Sequence, residues 1–132
     1  MIKLLLVEDD ANLRYIIRGG LEDMIGGYEI KDAANGEEGL KVWQEWQPDV
    51  IVSDIEMPVM DGYQTTRAIR SLDRPDAKTI PILAMTANAF AEDRQKTYAA
   101  GMDEHLTKPL DTELLLKTIA KYTPEKKAPM TP

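Results

Sequence analysis

Four polar residues close four separate apolar runs. Asp9 follows Leu4-Leu5-Leu6-Val7, Asp54 follows Val50-Ile51-Val52, Thr86 follows Ile82-Leu83-Ala84-Met85, and Lys108 follows His105-Leu106. If the runs are parallel strands, all four residues emerge at one edge of one sheet. That edge would gather acids, a hydroxyl and an ammonium around one carboxylate, Asp54. Such a set suits the transfer of a phosphoryl group onto an aspartate, because the acids can hold a divalent cation and the other groups can meet phosphoryl oxygens.

Each residue has a plainer reading beside the chemical one. In Glu8-Asp9-Asp10, acids after a strand often cap the next helix. Alternatively they bind magnesium, which takes oxygen ligands, typically one or two carboxylates with several waters. Glu8, Asp9 and Asp54 brought together would repel one another, so the cluster argues for a cation. Asp54 could mark a strand's exit into solvent, but Met57-Pro58 and Met60-Asp61-Gly62 follow it. Proline and glycine there fix a loop whose backbone can approach a bound group. Thr86 could cap a helix, or its hydroxyl could donate to a phosphoryl oxygen, with small Ala87 leaving room. Lys108 could be solvated, or it could pair with Asp54 and then with a phosphate. His105 is the one histidine. It is a half-buried ring on a strand or a group whose charge changes near neutral pH. Trp43 falls in line with Leu40 and reads as packing, whereas Trp46 reads as partly exposed and open to contact with another chain.

The elements that must position these groups follow from periodicity and punctuation. Strands are expected over Ile2–Val7, Tyr28–Ala34, Val50–Asp54, Ile80–Met85 and His105–Thr107. Leu13, Ile16, Ile17, Gly20 and Met24 are spaced for one face of a helix that Gly19 and Gly20 weaken and Gly26-Gly27 ends. Asn35-Gly36 reads as a turn. Helices are expected over Glu37–Gln47, stopped by Pro48; from Tyr63 to about Leu72, capped by Asp61; over Ala89–Ala100, ended by Gly101; and after the cap Asp111 through Leu115, Leu116, Ile119 and Tyr122. Alternating strands and helices imply an α/β fold: one doubly wound (βα)5 domain with a five-stranded parallel sheet, right-handed crossovers and helices on both faces. Residues 1–122 form that domain. Residues 123–132 contain several prolines and no apolar periodicity, and read as a flexible tail or the start of a linker.

The bulk numbers set limits. The chain has 132 residues, 43% hydrophobic and 30% charged, enough for one domain with a core. A formal net charge of −7 argues against direct nucleic-acid binding. The absence of cysteine removes disulfides, thiol catalysis and cysteine-ligated zinc. No apolar run approaches a membrane span, and the start leads straight into charged residues rather than a signal peptide, so a cytoplasmic location is the default.

The motifs Asp54-x-x-Met57-Pro58-x-Met60-Asp61-Gly62, Ala84-Met85-Thr86-Ala87-Asn88-Ala89-Phe90, Ala100-Gly101-Met102-Asp103 and Lys108-Pro109 resemble those of the receiver domains of bacterial response regulators. The resemblance runs over about residues 2 to 122 and is strongest to receivers of phosphorelays and hybrid histidine kinases. It implies a flavodoxin-like sheet in the order 2-1-3-4-5. It implies that Asp54 accepts a phosphoryl group from a phosphohistidine on a sensor histidine kinase or histidine phosphotransfer domain. Thr86 and Lys108 assist, and Mg2+ is held by Glu8, Asp9, Asp54 and the main-chain carbonyl of Glu56. It further implies a cis Lys108-Pro109 bond, and a switch through Thr86 and residue 105 that alters the surface of helix 4, strand 5 and helix 5, with a phosphorylation-dependent homodimer as one output. Such a domain catalyses its own phosphorylation and dephosphorylation and is not a turnover enzyme. The sequence departs from the family pattern at His105, where a Tyr or Phe is usual.

Two other readings compete with this one. A phosphatase of the haloacid dehalogenase group also uses a strand-end aspartate, but it needs a second aspartate two residues on, where this chain has Glu56, and a cap domain. A receiver-like module without chemistry should lack one of Asp9, Asp54, Thr86 or Lys108, and all are present.

Overall fold

Leu4 and Leu6 pack on one side of the central sheet and Leu5 and Val7 on the other, because successive strand residues point to opposite faces. A strand buried on both faces can therefore be apolar throughout, as Leu4-Leu5-Leu6-Val7 is. The computed structural model describes residues 2–24, 27–57, 60–87, 91–108 and 110–123. Gly26, Pro58, Asn88, Ala89, Phe90, Pro109 with its expected cis bond, and the expected tail from residue 124 onward lie outside the described residues.

Among these residues the chain forms β1 (Ile2–Val7), α1 (Ala11–Met24), β2 (Tyr28–Ala33), α2 (Gly36–Trp46), β3 (Val50–Asp54), α3 (Gly62–Ser71), β4 (Ile82–Thr86), α4 (Ala91–Ala99), β5 (Glu104–Thr107) and α5 (Thr112–Tyr122). The sheet is wholly parallel, in the order β2-β1-β3-β4-β5. One core joins Leu4, Leu6, Val50, Val52, Leu83 and Met85 to Ile17 and Leu21 of α1 and Leu115 and Ile119 of α5. The opposite core joins Leu5, Val7, Ile51 and Ile82 to Trp43 of α2 and Ile69 of α3. Helices thus cover both faces, and α4 packs beside β5.

Several local readings change. Asn35-Gly36 does not simply turn the chain. Asn35 caps α2 by accepting from Glu38 N–H, and Gly36 is the helix's first residue. Ile16 does not share the buried face of α1; it is 65% exposed. The helix rests on Leu13, Ile17 and Leu21, spaced by four, and Ile16 lies one residue off that line. The two glycines do not break α1: at Gly20 the helix passes close to Thr112 of α5. Strand β4 begins at Ile82 rather than Ile80. Pro81 has no N–H to give a ladder, and Ile80 N–H closes a turn onto Asp76 O at 2.9 Å. Trp46 is half-buried with the Lys31 ammonium 5.0 Å from its ring centre, while Trp43 is fully buried beneath the Arg74 guanidinium.

Arg70 at the end of α3 ties the far edge of the sheet together. Its guanidinium donates to the carbonyls of Gly101, Ala77 and Ile80 and to Oδ2 of Asp103, which also accepts from Ile82 N–H. Arg70 therefore holds the starts of β4 and β5 level, and with them the ends that carry Thr86 and Lys108.

Candidate functional site

The parallel register brings the ends of β1, β3, β4 and β5 to one edge. Leu6 pairs with Val52, Asp54 with Met85, and Thr86 with Thr107. Beyond the strands the pairing continues through main-chain bonds: Ile55 N–H donates to Met85 O at 3.0 Å and Lys108 N–H to Thr86 O at 2.7 Å. The residues that follow each strand are thus fixed by the same ladder that fixes the core.

The acidic triplet divides its work. Asp10 caps α1, its Oδ1 accepting from Asn12 N–H at 2.9 Å and Leu13 N–H at 3.3 Å. Glu8 and Asp9 instead join Asp54, with a carboxylate oxygen of each within 4.8 Å of the others. The plain reading of the triplet therefore holds for Asp10, while Glu8 and Asp9 gather with Asp54 in one acid cluster. Glu8 and Asp54 are buried, and Asp9 is exposed. Oε2 of Glu8 accepts from Asp10 N–H at 3.0 Å. Lys108 enters from the other side, its Nζ 3.0 Å from Oε1 of Glu8 and 3.3 Å from Oδ1 of Asp54.

The electrostatics follow from burial and crowding. Loss of solvent, then the neighbouring Glu8 charge, push the Asp54 carboxyl up from 3.8 to about 6, against the pull of Lys108. Burial alone would lower the Lys108 ammonium, but its bonds to Glu8 and Asp54 outweigh this and hold it above its ordinary value. Three carboxylates and one ammonium leave a formal excess of two negative charges. A dication with hard-oxygen preference would cancel it, and exposed Asp9 leaves one side of the cluster open to water. The donor set fits magnesium.

Thr86, buried at the end of β4, stands in the ladder beside the segment that follows Asp54. Glu56 lies two residues past Asp54 with an exposed side chain, and its carboxylate is outside the acid cluster. His105 sits half-buried on β5 opposite Ala84, and its Nδ1 hydrogen-bonds with the Thr97 hydroxyl of α4 at 3.2 Å. His105 is thus one strand residue away from the cluster's edge, facing α4 rather than the acids.

Three further residues support the site. Arg14 donates to Glu8 O at 2.6 Å and so clamps the main chain that carries the acids. Gly62 lies so close to β3 that a Cβ there would stand 2.6 Å from Asp54 O. Gly36 donates its N–H to Met60 O at 3.1 Å, and a Cβ on it would meet that same carbonyl at 2.4 Å. A main-chain clamp leaves no residue-type signature, which hid Arg14. Gly62 was visible as part of the Asp61-Gly62 pair, though not its reason.

The chain is similar to known proteins of one family. The family model for the response regulator receiver domain matches residues 4–120. The sensor histidine kinase RcsC of Salmonella typhimurium is 39% identical over 121 residues, which are 90% of this chain and 12% of the kinase. The chain thus spans a small part of the length of that relative. Among solved structures, the Vibrio cholerae chemotaxis protein CheY4 superposes with a TM-score of 0.84 at 38% identity, covering 92% of this chain and 98% of that one. The receiver domain of the sensor histidine kinase PA1611 from Pseudomonas aeruginosa gives 0.82 at 32% identity, covering 92% and 96%, and its structure has a magnesium ion coordinated in the active-site cleft.

Proposed function

The chain belongs to the response regulator receiver domain family of two-component and phosphorelay systems, and from that premise we propose that Asp54 accepts a phosphoryl group from a phosphohistidine on a sensor histidine kinase or a histidine phosphotransfer domain. The observation that carries this reading is the buried Asp54 carboxylate held between an ammonium at 3.3 Å and two further acids. An Asp54 oxygen attacks phosphorus, the phosphorus–nitrogen bond breaks, and its electron pair leaves with the imidazole, which takes a proton. The product is an acyl phosphate. Lys108 offsets charge on the phosphoryl oxygens and the Thr86 hydroxyl donates to one of them. Attack by water on phosphorus later returns Asp54 and inorganic phosphate. On this reading the domain is not a turnover enzyme; its substrate is its own side chain.

Glu8, Asp9 and Asp54, with the main-chain carbonyl of Glu56, would hold Mg2+, which when bound supplies positive charge to the phosphoryl oxygens. Among the described residues no helix is long and apolar enough to cross a membrane, and we place the domain in the cytoplasm with its kinase partner. The output surface is α4, β5 and α5, where the His105–Thr97 bond joins strand to helix. Phosphorylation there biases partner binding or pairing of two copies.

Incubation with acetyl phosphate and Mg2+, followed by mass spectrometry, is expected to place one phosphoryl group on Asp54. Asp54→Asn is expected to take none. Modification of Asp54→Asn at the wild-type level would overturn the assignment.

A further inference from the structure

Lys108 has two anions within reach, and the nearer is Glu8, not Asp54. Glu8 is built to hold it. Its side chain is 1% exposed, and Asp10 N–H fixes Oε2, which turns Oε1 toward the ammonium. Beyond the ammonium, Oε1 has no hydrogen-bond partner among the described residues. Arg14 clamps the Glu8 carbonyl, and the Lys108 main chain hangs on Thr86 O, so neither backbone is free to drift. A buried carboxylate with one charged partner keeps that partner, because an unpaired buried charge is strongly unfavourable.

We propose that Glu8 is the positioning residue of Lys108, and that its grip on the ammonium opposes divalent-cation binding at the acid cluster. The same carboxylate cannot give full charge to both. While Glu8 holds Lys108, the cluster offers a cation chiefly Asp9 and Asp54. The ammonium already bridges Glu8 and Asp54, and when a cation draws on Glu8 it is left on Asp54 alone, the position from which it would meet a phosphoryl group. Cation loading and lysine placement are then one event. Glutamate suits this role because its extra methylene spans to Lys108 from a main chain fixed beside β1, where an aspartate would fall short.

The inference rests on the receiver reading, and the two fail separately. Absence of phosphoryl transfer from acetyl phosphate to wild-type Asp54 would remove that reading whatever the cation data give. For the inference itself, MgCl2 is titrated by calorimetry into metal-free wild type, Lys108→Gln, Glu8→Gln and the double variant, with circular dichroism to verify folding. Lys108→Gln is expected to tighten Mg2+ about tenfold when residue 8 is Glu, and less than about threefold when it is Gln. Glu8→Asp, which keeps the acid and loses the reach, is expected to tighten Mg2+ as Lys108→Gln does. In the unaltered protein, the Lys108 ε-methylene NMR signals are expected to move as Mg2+ is added. Equal gains from Lys108→Gln in both backgrounds, or Lys108 signals that ignore saturating Mg2+, would overturn the proposal.

Discussion

Asp54 is harder to ionise in the folded protein than in the unfolded chain, and this has a sign. Its folded value of about 6 lies above the ordinary 3.8. Protonated Asp54 therefore favours the fold, and that contribution is complete below pH 3.8 and lost as the pH rises through about 6. In metal-free protein at pH 7.5 the ionised carboxylate is a burden. Asp54→Asn is expected to raise unfolding free energy there by on the order of 1–3 kcal/mol, read from urea melts. The gain should shrink below pH 6 and narrow when Mg2+ is added, since only the wild-type carboxylate gains a partner. A variant no more stable than wild type at pH 7.5 would mean that Lys108 already satisfies Asp54 in full. At this scale the sequence was informative in combination: Asp54 and Thr86 each close an apolar run and Lys108 follows the short β5, so three residues with separate plain readings leave parallel strands at one edge. The division between Asp10 as a cap and Glu8 and Asp9 as site residues was not visible, because three consecutive acids look alike until the chain's direction after β1 is known.

At the scale of elements, glycines separate the working contacts from the idle ones. A Cβ on Gly62 would stand 2.6 Å from Asp54 O and 2.9 Å from Ile55 Cα, both main-chain atoms that cannot step aside. Gly62→Ala is expected to push α3 from β3, to cost about 2–3 kcal/mol in unfolding free energy, and to slow phosphorylation about tenfold or more. Gly19, in the middle of α1, has nothing within 4 Å of a Cβ. Gly19→Ala is expected to stabilise the protein by about 0.5–1 kcal/mol through helix propensity and to leave phosphorylation unchanged. Thermal melts and a phosphorylation time course on the two variants give opposite signs if these contacts are as described. Element type and order were legible because the apolar runs are short and sharply punctuated. The faces were less so. The line of Leu13, Ile17 and Leu21 was blurred by Ile16, since adjacent apolar residues fit either of two helical stripes. The Arg70 tie left no trace, because four of its five hydrogen bonds go to main-chain carbonyls.

For the whole molecule, the acid cluster links folding to solution conditions. The cluster assembles from β1 and β3, so the unfolded chain has no equivalent for a cation to bind. Mg2+ should therefore stabilise the fold by mass action, about 2.7 kcal/mol at a hundred times the dissociation constant. Melting temperature is expected to climb with the logarithm of Mg2+ concentration in wild type and to stay nearly flat in Asp9→Ala. A parallel rise in both would place the effect elsewhere on this acidic surface, whose formal net charge is −7. The order β2-β1-β3-β4-β5 came from family resemblance and not from spacing, because periodicity identifies strands and says nothing about which of them are neighbours.

The single main-chain bond from Lys108 to the Thr86 carbonyl couples the ends of β4 and β5. Displacement of one strand end is passed to the other, so the main chains that carry the hydroxyl and the ammonium move together. The long lysine side chain keeps its own freedom above that shared base, and the short threonine does not. The threonine therefore reports where the strand end stands, while the ammonium can follow whichever anion is nearest.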